Sequence, residues 1–367
     1  MVSRALSDYS EWYYCLRGGL FRRRCYVQIH ITTRCLNRCP GCYYRLRNQG
    51  RLCPQELTAA EIAGMVDAWL RAAERHQMPI TVDLTGGDPL LHPAFWDVLR
   101  YLQHCGVDFG VKANPHLLDE NTVLRLARLG LKRFQLSLDG IDQTHDVLRG
   151  SQGLFRTTIE AMRLLVSAQI APIVRYTLPR DNSDDLIRLQ HLLHAQAIPC
   201  SLSVTPLVDF VNHSNTLSAH DLLPIYREHV RVFAEHLALG TRYRVFYKDH
   251  LFFPLLHQMG VLSSQFVRAC VRGGLSLRCT MFEHVYIVDA DRTLRLCQKL
   301  PEAVLGCVSD YDFATLLGDR TGRYPFGVCV SAECQRCHYE QQCFGCPARK
   351  KAAQETSCPL FAPKHGH

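Results

Sequence analysis

The sequence has no apolar run long enough to cross a membrane, and its first 20 residues lack the continuous apolar segment of a signal peptide. It also lacks an extended basic block: Arg22, Arg23 and Arg24 form the one local run, although the formal net charge is +8. Basic residues spread along a chain are typical of a solvated surface. We therefore expect a soluble cytoplasmic protein with neither a membrane nor a nucleic acid as its partner.

Cysteine, by contrast, is abundant, at 18 of 367 residues. A secreted chain would use these residues for disulfides, but the missing signal peptide favours a reducing compartment and thiolate-bound metal. Hydrophobic residues make up 47% of the chain and charged residues 21%, which is typical of a globular protein. A chain of this length predicts a large core and two domains.

Short apolar strands alternate with amphipathic helices along the first part of the chain. The predicted strands cover residues 26–32, 80–84, 108–112, 133–137, 172–178 and 201–204. The predicted helices cover residues 59–75, 93–105, 121–129, 154–169 and 184–196, and Thr58 and Glu61 form a capping box for the first of them. Such alternation predicts a parallel sheet with right-handed crossovers, whose ligand sites gather at the carboxyl ends of the strands.

The next stretch of the chain is expected to be mostly core. Residues 217–239 predict one long amphipathic helix with Ser218 as its N-cap. Residues 243–256 are rich in aromatic side chains and include Lys248, Asp249 and His250, which could line a substrate channel or pack in the core. Packing is the favoured interpretation.

Three thiols follow the first predicted strand, at Cys35, Cys39 and Cys42. The segment cannot stay helical past Pro40 and Gly41, so it predicts a loop that leaves the strand end. Three soft ligands on a loop suit zinc or an iron–sulfur cluster. Because three ligands are one short of four, the spacing suggests a cluster with one iron left open.

The ends of the later strands also carry residues suited to a ligand site. Gly86 and Gly87 leave the backbone bare, so that a ligand can lie against it, although Gly-Gly-Asp-Pro is equally typical of a tight turn. Arg175 lies within the fifth strand, where it points into the mouth of the sheet or lies on its outer face. The full set of strand-end candidates is Gly86, Gly87, Asp88, Pro89, Asn114, Ser137, Asp139, Arg149 and Arg175.

A second group of cysteines begins at Cys270. Residues 284–288 and 293–296 predict a β-hairpin that brings Cys279 towards Cys297. Beyond it lie two close cysteine pairs and a last cysteine: Cys334, Cys337, Cys343, Cys346 and Cys358. Paired Cys-x2-Cys knuckles bind zinc as well as iron–sulfur clusters, so both metals remain open from spacing alone.

The three-thiol loop, Gly-Gly-Asp-Pro and the Ser137-Leu-Asp139 segment, each behind a predicted strand, resemble the radical S-adenosylmethionine (SAM) enzymes. The resemblance implies an α/β fold with a partial (β/α)6 TIM-like barrel. It implies a [4Fe–4S] cluster on Cys35, Cys39 and Cys42, whose open iron is chelated by SAM, and an electron donor of the flavodoxin or ferredoxin type. One-electron reduction then cleaves SAM to a 5′-deoxyadenosyl radical, which abstracts hydrogen from the substrate.

The strand-end candidates would contact SAM under this resemblance, and three places depart from the family pattern. Around Asn114, where family members often have Thr-Asn-Gly, only the asparagine is kept. Many members have an aromatic residue just before the third cysteine, whereas here Gly41 stands there and Tyr43 follows. Asp88 stands where the family has glutamate in its Gly-Gly-Glu-Pro motif.

The cysteine-rich end resembles the SPASM extension of radical SAM enzymes, a small β-hairpin and loop domain with two auxiliary [4Fe–4S] clusters. By position, one cluster would use Cys270, Cys279, Cys297 and Cys346, with Cys307 or Cys329 able to replace Cys270. The other would use Cys334, Cys337, Cys343 and Cys358. The expected organisation is a lead-in at 1–25, the barrel at 26–206, a helical connection at 207–268 and the SPASM domain at 269–367. Departures are the short gap between Cys343 and Cys346, and Arg292 in place of the usual glycine.

The resemblance implies an oxidoreductase-type radical enzyme that acts on a peptide or a small molecule. Peptide maturation is favoured. It would form carbon–carbon or thioether links, or epimerise residues, in ribosomally made natural products. Gln298 stands where sulfatase-maturing relatives have an aspartate after Cys297, which argues against formylglycine formation. About 25 residues precede the first strand, too few for a leader-binding domain, so a peptide would need a separate leader-binding protein or direct recognition.

Two alternatives stay open. A sugar or tetrapyrrole substrate is the first, and the Cys343-x2-Cys346-Pro-Ala-Arg segment, which resembles haem-pathway relatives, supports the tetrapyrrole. The second is a non-enzymatic binding protein stapled by zinc. Zinc would explain the cysteine-rich end but not a three-thiol loop placed before Gly-Gly-Asp-Pro.

Overall fold

A computed structural model describes residues 4–21, 24–44, 55–209, 212, 215–272, 285–300, 302–318, 332–339, 342–343, 346–355 and 357–361. The predicted ligand Cys279 and the alternative ligand Cys329 lie outside the described residues, so the structure does not bear on them.

The described strands form one sheet in the order β10-β9-β8-β1-β2-β3-β4-β5-β6-β7. Strands β1 to β7 run parallel to their neighbours, as the predicted crossovers require. The strands are β1 (Cys25–Thr32), β2 (Ile80–Gly86), β3 (Asp108–Lys112), β4 (Arg133–Ser137), β5 (Ala171–Leu178), β6 (Ser201–Pro206), β7 (Arg244–Phe246), β8 (Val285–Val288), β9 (Thr293–Arg295) and β10 (Val304–Cys307).

The helices follow the predicted alternation. They are α1 (Arg4–Phe21), α2 (Ala59–Arg75), α3 (Phe95–His104), α4 (Glu120–Arg128), α5 (Gln143–Arg149), α6 (Leu154–Ser167), α7 (Ser183–Ala195), α8 (Ala219–Ala238), α9 (Phe252–Gln258), α10 (Ser264–Arg272), α11 (Phe313–Gly318), α12 (Ala332–Gln335) and α13 (Pro347–Ala352). Every predicted strand of the barrel and every predicted helix is present, with bounds that differ by two residues at most. Both predicted N-caps, Thr58 and Ser218, accept a hydrogen bond from the backbone three residues on. None of the described helices is long and apolar enough to cross a membrane.

The N-terminal lead-in contains a helix that the sequence patterns did not predict. Helix α1 places Tyr13 and Tyr14 in the core, where Tyr14 packs edge-on against Phe253 with ring centroids 4.9 Å apart. Tyr247 completes this aromatic cluster. The aromatic stretch after α8 therefore packs in the core as favoured, and it also supplies β7, a further parallel strand at the sheet edge.

The C-terminal hairpin joins the barrel sheet. Strand β8 pairs in parallel with β1, with Tyr26 opposite Val285 and Ile29 opposite Val288, and β9 returns antiparallel to β8, which confirms the predicted hairpin. Arg292, which stands where the family pattern has glycine, has a left-handed φ of +70° in the turn. Its guanidinium pairs with Glu61 at 2.6 Å, and this ion pair ties the turn to the start of α2.

The two faces of the barrel strands differ in polarity. The outward side chains of β1, such as Val27 and Ile29, are fully buried under the helices. The inward side chains are polar, and those of β2, β3 and β4 form an ion cluster. Asp83 pairs with Lys112 and Arg133, each at 3.1 Å, and Tyr26 donates a hydrogen bond to it. Burial alone would raise the pKa of Asp83, but the two cations outweigh burial and lower it.

Removal of the Asp83 charge should be strongly destabilising. In Asp83→Asn, the largely buried Lys112 loses its carboxylate, while Arg133 keeps only its pair with Asp108 at 2.7 Å. The free energy of unfolding should therefore fall by roughly 3–5 kcal/mol. Chemical denaturation measures the loss. The matched control is Asp97→Asn, which removes a carboxylate from an exposed pair with Arg100 and should cost less than about 1 kcal/mol. Similar losses in both variants would contradict a structural role for the cluster.

His229 makes the stability of the fold depend on pH. Its ring is fully buried in α8, with Nδ1 2.8 Å from Oε1 of Gln190. Burial lowers the pKa of His229 to about 3, because the charged ring would lose its hydration. The folded protein therefore keeps this ring neutral at pH values where the unfolded chain protonates it.

The free energy of unfolding should consequently fall as the pH drops below about 6.5, the ordinary pKa of histidine, towards pH 4. His229 should contribute roughly 1.4 kcal/mol per pH unit within that window. His229→Asn keeps a donor near the position of Nδ1 but cannot titrate. Its stability, measured by urea unfolding at several pH values, should fall less steeply than that of the wild type. Parallel curves would show that His229 is not the titrating group.

Candidate active site

A cavity of about 1220 Å³ opens at the carboxyl ends of the barrel strands. Thiol-loop residues and the ends of strands β1 to β6 line it. The predicted site residues that line this cavity are Cys35, Cys39, Cys42, Gly86, Gly87, Asn114, Ser137, Asp139, Arg149 and Arg175. Asp88 and Pro89 are buried next to the lining. The structure therefore brings the strand-end candidates to one place, as parallel strands require.

The thiol loop is held by a side chain that follows β3 and by a backbone carbonyl at the end of α5. Asn114 accepts a hydrogen bond from the side-chain amide of Asn37 at 2.9 Å and donates one to the Cys35 sulfur at 3.4 Å. The carbonyl oxygen of Arg149 lies 3.4 Å from the Cys39 sulfur and accepts from the Arg38 backbone at 3.2 Å. Asn114 and Arg149 thus position the loop, a contribution that the sequence did not reveal.

The three thiols suit a metal cluster better than free thiolates. Burial raises the pKa of Cys35 to about 11 and also raises that of Cys39, so without a cation these groups stay protonated. Within the described ranges, no three Cys, His, Asp or Glu side chains converge on a point that could hold a single metal ion. An iron–sulfur cluster does not require such convergence, since each thiolate binds a different iron.

The two glycines after β2 admit the backbone that leads into the thiol loop. A Cβ on Gly86, whose φ is +148°, would lie 2.1 Å from the Thr32 carbonyl oxygen, and one on Gly87 would lie 2.2 Å from that of Arg34. Gly87 and Asp88 donate their backbone N–H groups to the same two carbonyls, at 2.8 and 2.7 Å. Glycine is needed at these two positions because the backbone of residues 32–34 lies against them, in addition to any ligand that does so.

Asp88 has a buried oxygen that lacks a partner. Its Oδ1 accepts from the Leu90 backbone at 3.2 Å, while Oδ2 makes no hydrogen bond of normal length to a described residue, although Asn114 lies near enough to favour the charged carboxylate. Burial raises the pKa of Asp88 to about 6. A buried acceptor without a donor is costly, so this oxygen fits a ligand that brings an N–H group.

The fourth and fifth strands supply a hydroxyl and two cations. Ser137 faces the cavity without a hydrogen bond to any described residue. Asp139 is paired with Arg149 and accepts from the Thr177 backbone at 2.7 Å. Arg175 lies opposite Ser137 in the sheet and lines the cavity, so the inward orientation is the correct alternative. Burial lowers the pKa of Arg175 to about 10.

A buried histidine joins the thiol loop to the C-terminal hairpin. His30 on β1 has its Nδ1 2.7 Å from the Tyr43 hydroxyl, and its Nε2 lies against the side-chain amide of Gln298. Tyr43 follows Cys42 and Gln298 follows Cys297. His30 was not among the predicted site residues, although a histidine at an inward position of the first strand is a signal that could have found it.

The C-terminal segment also brings a lysine into the cavity. Lys299 lines it together with Lys248, and the Lys299 ammonium donates to the carbonyl of Pro206, at the end of β6, at 2.9 Å. Burial and the nearby Arg175 lower the pKa of Lys299. Lys248, which was expected to pack in the core, instead reaches the cavity.

Four of the C-terminal cysteines meet around a small cavity beside α9. These are Cys334, Cys337, Cys343 and Cys358, the set predicted to share one cluster. The Lys350 ammonium lies 3.3 Å from the Cys334 sulfur. In the other predicted set, Cys346 lies close enough to Cys297 to add to the effect of burial, and both raise the pKa of the Cys297 thiol.

The remaining candidates of that set lie elsewhere in the described structure. Cys270, on α10, has Cys15 and Glu11 of α1 as its charged neighbours. Cys307 ends β10 and accepts from the Ser309 hydroxyl at 3.1 Å. Whether Cys270 joins Cys297 and Cys346 stays a prediction.

The Radical SAM superfamily profile matches residues 29–193. These residues form a radical SAM domain. The predicted α/β partial barrel is confirmed, and so is the prediction of an enzyme. The match spans β1 to α7 and therefore contains the thiol loop, the two glycines, Ser137 and Arg175.

Curated relatives include a peptide-maturing and a porphyrin-forming protein. The sporulation killing factor maturation protein SkfB of Bacillus subtilis is 27% identical over 164 residues, 44% of this chain and 38% of that protein. The Fe-coproporphyrin III synthase of Methanosarcina barkeri is 25% identical over 170 residues, 46% of this chain and 41% of that protein. The aligned part thus spans about two-fifths of these relatives.

Solved structures with the same fold extend over most of the chain. Native anSMEcpe with bound AdoMet has a TM-score of 0.67 at 18% identity, covering 91% of this chain and 92% of the other. Streptococcus suis SuiB bound to the precursor peptide SuiA has a TM-score of 0.67 at 14% identity, covering 97% of this chain and 78% of the other. At these identities the likeness concerns the fold alone.

A methyl group at Gly87 should displace the thiol loop. In Gly87→Ala the new Cβ meets two carbonyl oxygens of the backbone before the loop, so the free energy of unfolding should fall by roughly 1–3 kcal/mol. Gly64→Ala is the matched control, because a Cβ at Gly64 on α2 has no atom within 4 Å. It should raise stability by roughly 0.5–1 kcal/mol. Thermal unfolding of the two variants measures both, and a neutral Gly87→Ala would contradict the close approach.

Proposed function

We propose that the chain is a radical SAM enzyme with a SPASM-type C-terminal domain, and that it modifies a peptide. The observation that carries this proposal is the convergence of Cys35, Cys39 and Cys42 with the Gly86-Gly87 turn and Arg175 on one cavity. A [4Fe–4S] cluster bound there would supply the electron that cleaves SAM to a 5′-deoxyadenosyl radical, which takes hydrogen from the substrate. The cytoplasm is the proposed location, and a flavodoxin- or ferredoxin-type protein is the proposed electron donor.

The residues around the thiol loop would divide the work of binding. Cys35, Cys39 and Cys42 would hold the cluster and leave one iron without a protein ligand. The unpartnered Oδ2 of Asp88 would accept from the amino group of SAM, and the inward-facing Arg175 would pair with its carboxylate. Gly86, Gly87 and Pro89 would shape this wall of the SAM site.

Four further predicted SAM contacts gain a more specific role. Ser137 has a hydroxyl that is free to bind the ribose, whereas Asn114 and Arg149 are already engaged with the thiol loop. Asp139 is neutralised by Arg149. We therefore assign Ser137 to direct contact and the other three to orientation of the cysteines.

The cysteine-rich end would hold two auxiliary [4Fe–4S] clusters. The gathering of Cys334, Cys337, Cys343 and Cys358 around one cavity supports the first, and the closeness of Cys297 and Cys346 supports the second, with Cys270 and Cys279 as its proposed further ligands. These clusters would carry an electron to or from the substrate radical, or bind the substrate. The proposed SPASM domain covers residues 269–367, after a lead-in at 1–25, the barrel at 26–206 and a helical connection at 207–268.

A peptide is the favoured substrate, because SkfB is named as a maturation protein and SuiB was crystallised with a precursor peptide. A separate leader-binding protein would then be a partner. The second candidate is a small molecule of the tetrapyrrole type. The Fe-coproporphyrin III synthase relative favours it, as do the basic side chains in the cavity.

The test is to reconstitute the protein anaerobically with iron and sulfide, and then to add SAM and dithionite. We expect about twelve iron atoms per chain, from three four-iron clusters, together with 5′-deoxyadenosine. Cys42→Ala should lose about four irons and all 5′-deoxyadenosine, whereas Cys334→Ala should lose iron without loss of SAM cleavage. Cys105→Ala, outside every predicted ligand set, is the control and should match the wild type. Bound zinc with intact SAM would instead identify a zinc-stapled binding protein.

A further inference from the structure

The cations that line the active-site cavity are not equally neutralised. Lys112 pairs with Asp83 at 3.1 Å, and Arg149 pairs with Asp139. Arg175 and Lys299 form no ion pair with any described residue. The Lys299 ammonium donates only to a neutral carbonyl, that of Pro206.

Lys299 lies in the C-terminal part of the chain, whereas the proposed SAM-binding motifs lie in the barrel. Its side chain nevertheless reaches the same cavity. It follows the hairpin strand β9, which belongs to the part of the sheet beside β1, and its ammonium reaches the end of β6. Its neighbour Gln298 meanwhile contacts His30 of β1. The backbone of residues 298–299 therefore spans the mouth of the barrel, and the Lys299 side chain points into the space beneath.

The described acidic side chains near Lys299 are engaged elsewhere. Asp249 accepts from the Tyr226 hydroxyl at 3.2 Å and from the Leu251 backbone at 2.9 Å. Of the described carboxylates that line the cavity, Asp139 is paired with Arg149, and Asp209 accepts from the Asn212 backbone at 2.9 Å and from the Asn215 amide at 3.1 Å. Arg175 and Lys299, both half-buried, thus share the cavity without a carboxylate of their own, which is costly because each loses hydration and repels the other. SAM brings one carboxylate, which the proposed function assigns to Arg175. The positive charge of Lys299 is then left without a carboxylate.

We propose that Lys299 is a substrate-binding residue that takes a carboxylate of the substrate, whether a peptide or a small molecule carries it. This inference rests on the proposed function, since the substrate must lie next to SAM in the same cavity. A lysine ammonium binds a carboxylate through charge-assisted hydrogen bonds, which are about twice as strong as neutral ones. The substrate is accordingly acidic near the carbon that reacts.

The experiment compares two small probes of nearly equal shape, the α-N-methylamides of N-acetylglutamate and N-acetylglutamine, on the reconstituted protein. With the α-carboxylate blocked in both, the side-chain carboxylate of the first is the one charge that differs. SAM is present at saturation, so that Arg175 is occupied. Binding is measured by saturation-transfer NMR and titration. We expect the carboxylate probe to bind roughly tenfold more tightly than the amide probe. Lys299→Met should abolish the difference, and Lys299→Arg should retain it.

The control is Lys132→Met, which removes the same charge from an exposed lysine at the start of β4 and should keep the wild-type preference. Equal binding of both probes to the wild type, or a preference that survives in Lys299→Met, would overturn the proposal. A shift in the electron paramagnetic resonance of the auxiliary clusters in Lys299→Met, with the preference unchanged, would also overturn it, because Lys299 would then only balance the charge of Cys297 and Cys346.

Iron content and 5′-deoxyadenosine, measured on the same preparations, separate the two levels of inference. A wild-type protein that forms no 5′-deoxyadenosine contradicts the proposed function itself. A wild-type protein that forms it but shows no preference for the carboxylate probe contradicts the role of Lys299 alone.

Discussion

The site depends on the contact between two backbone segments, the end of β1 and the turn after β2. The carbonyls of Thr32 and Arg34 accept hydrogen bonds from Gly87 and Asp88, and a side chain at either glycine would collide with them. The thiol loop begins directly after this contact, so its position over the strand ends is set by rigid backbone rather than by flexible side chains. Asn114 and the Arg149 carbonyl then hold the loop from the far side.

The inward-facing side chains of the barrel are polar along its length. Their charges are balanced differently deep in the barrel and at its mouth. Deeper in the barrel, Asp83 pairs with Lys112 and Arg133, which offsets the cost of burying these charges. At the mouth, Arg175 and Lys299 have no carboxylate partner among the described residues. The protein thus keeps its unbalanced charge where ligands enter, which favours anionic groups and orients them.

The C-terminal segment is part of the active-site wall because of where β8 lies in the sheet. By pairing with β1, β8 places the loop after β9 over the barrel mouth, where Gln298 contacts His30 and Lys299 contacts the end of β6. The same loop carries Cys297, which lies near Cys346. A proposed auxiliary cluster, the SAM cavity and a basic side chain are therefore neighbours through one short stretch of backbone.

Local patterns in the sequence determined the barrel strands, the helices and their caps, because hydrophobic periodicity and capping depend on residues a few positions apart. They also determined that Cys35, Gly86, Ser137 and Arg175 would meet, since parallel strands present their carboxyl ends at one edge. The tertiary structure alone decided that α1 is a helix packed on Tyr247, that β8 lies beside β1, and that Lys299 enters the cavity. These contacts join residues more than 90 positions apart, and no local period encodes which of several possible neighbours a strand or loop will choose.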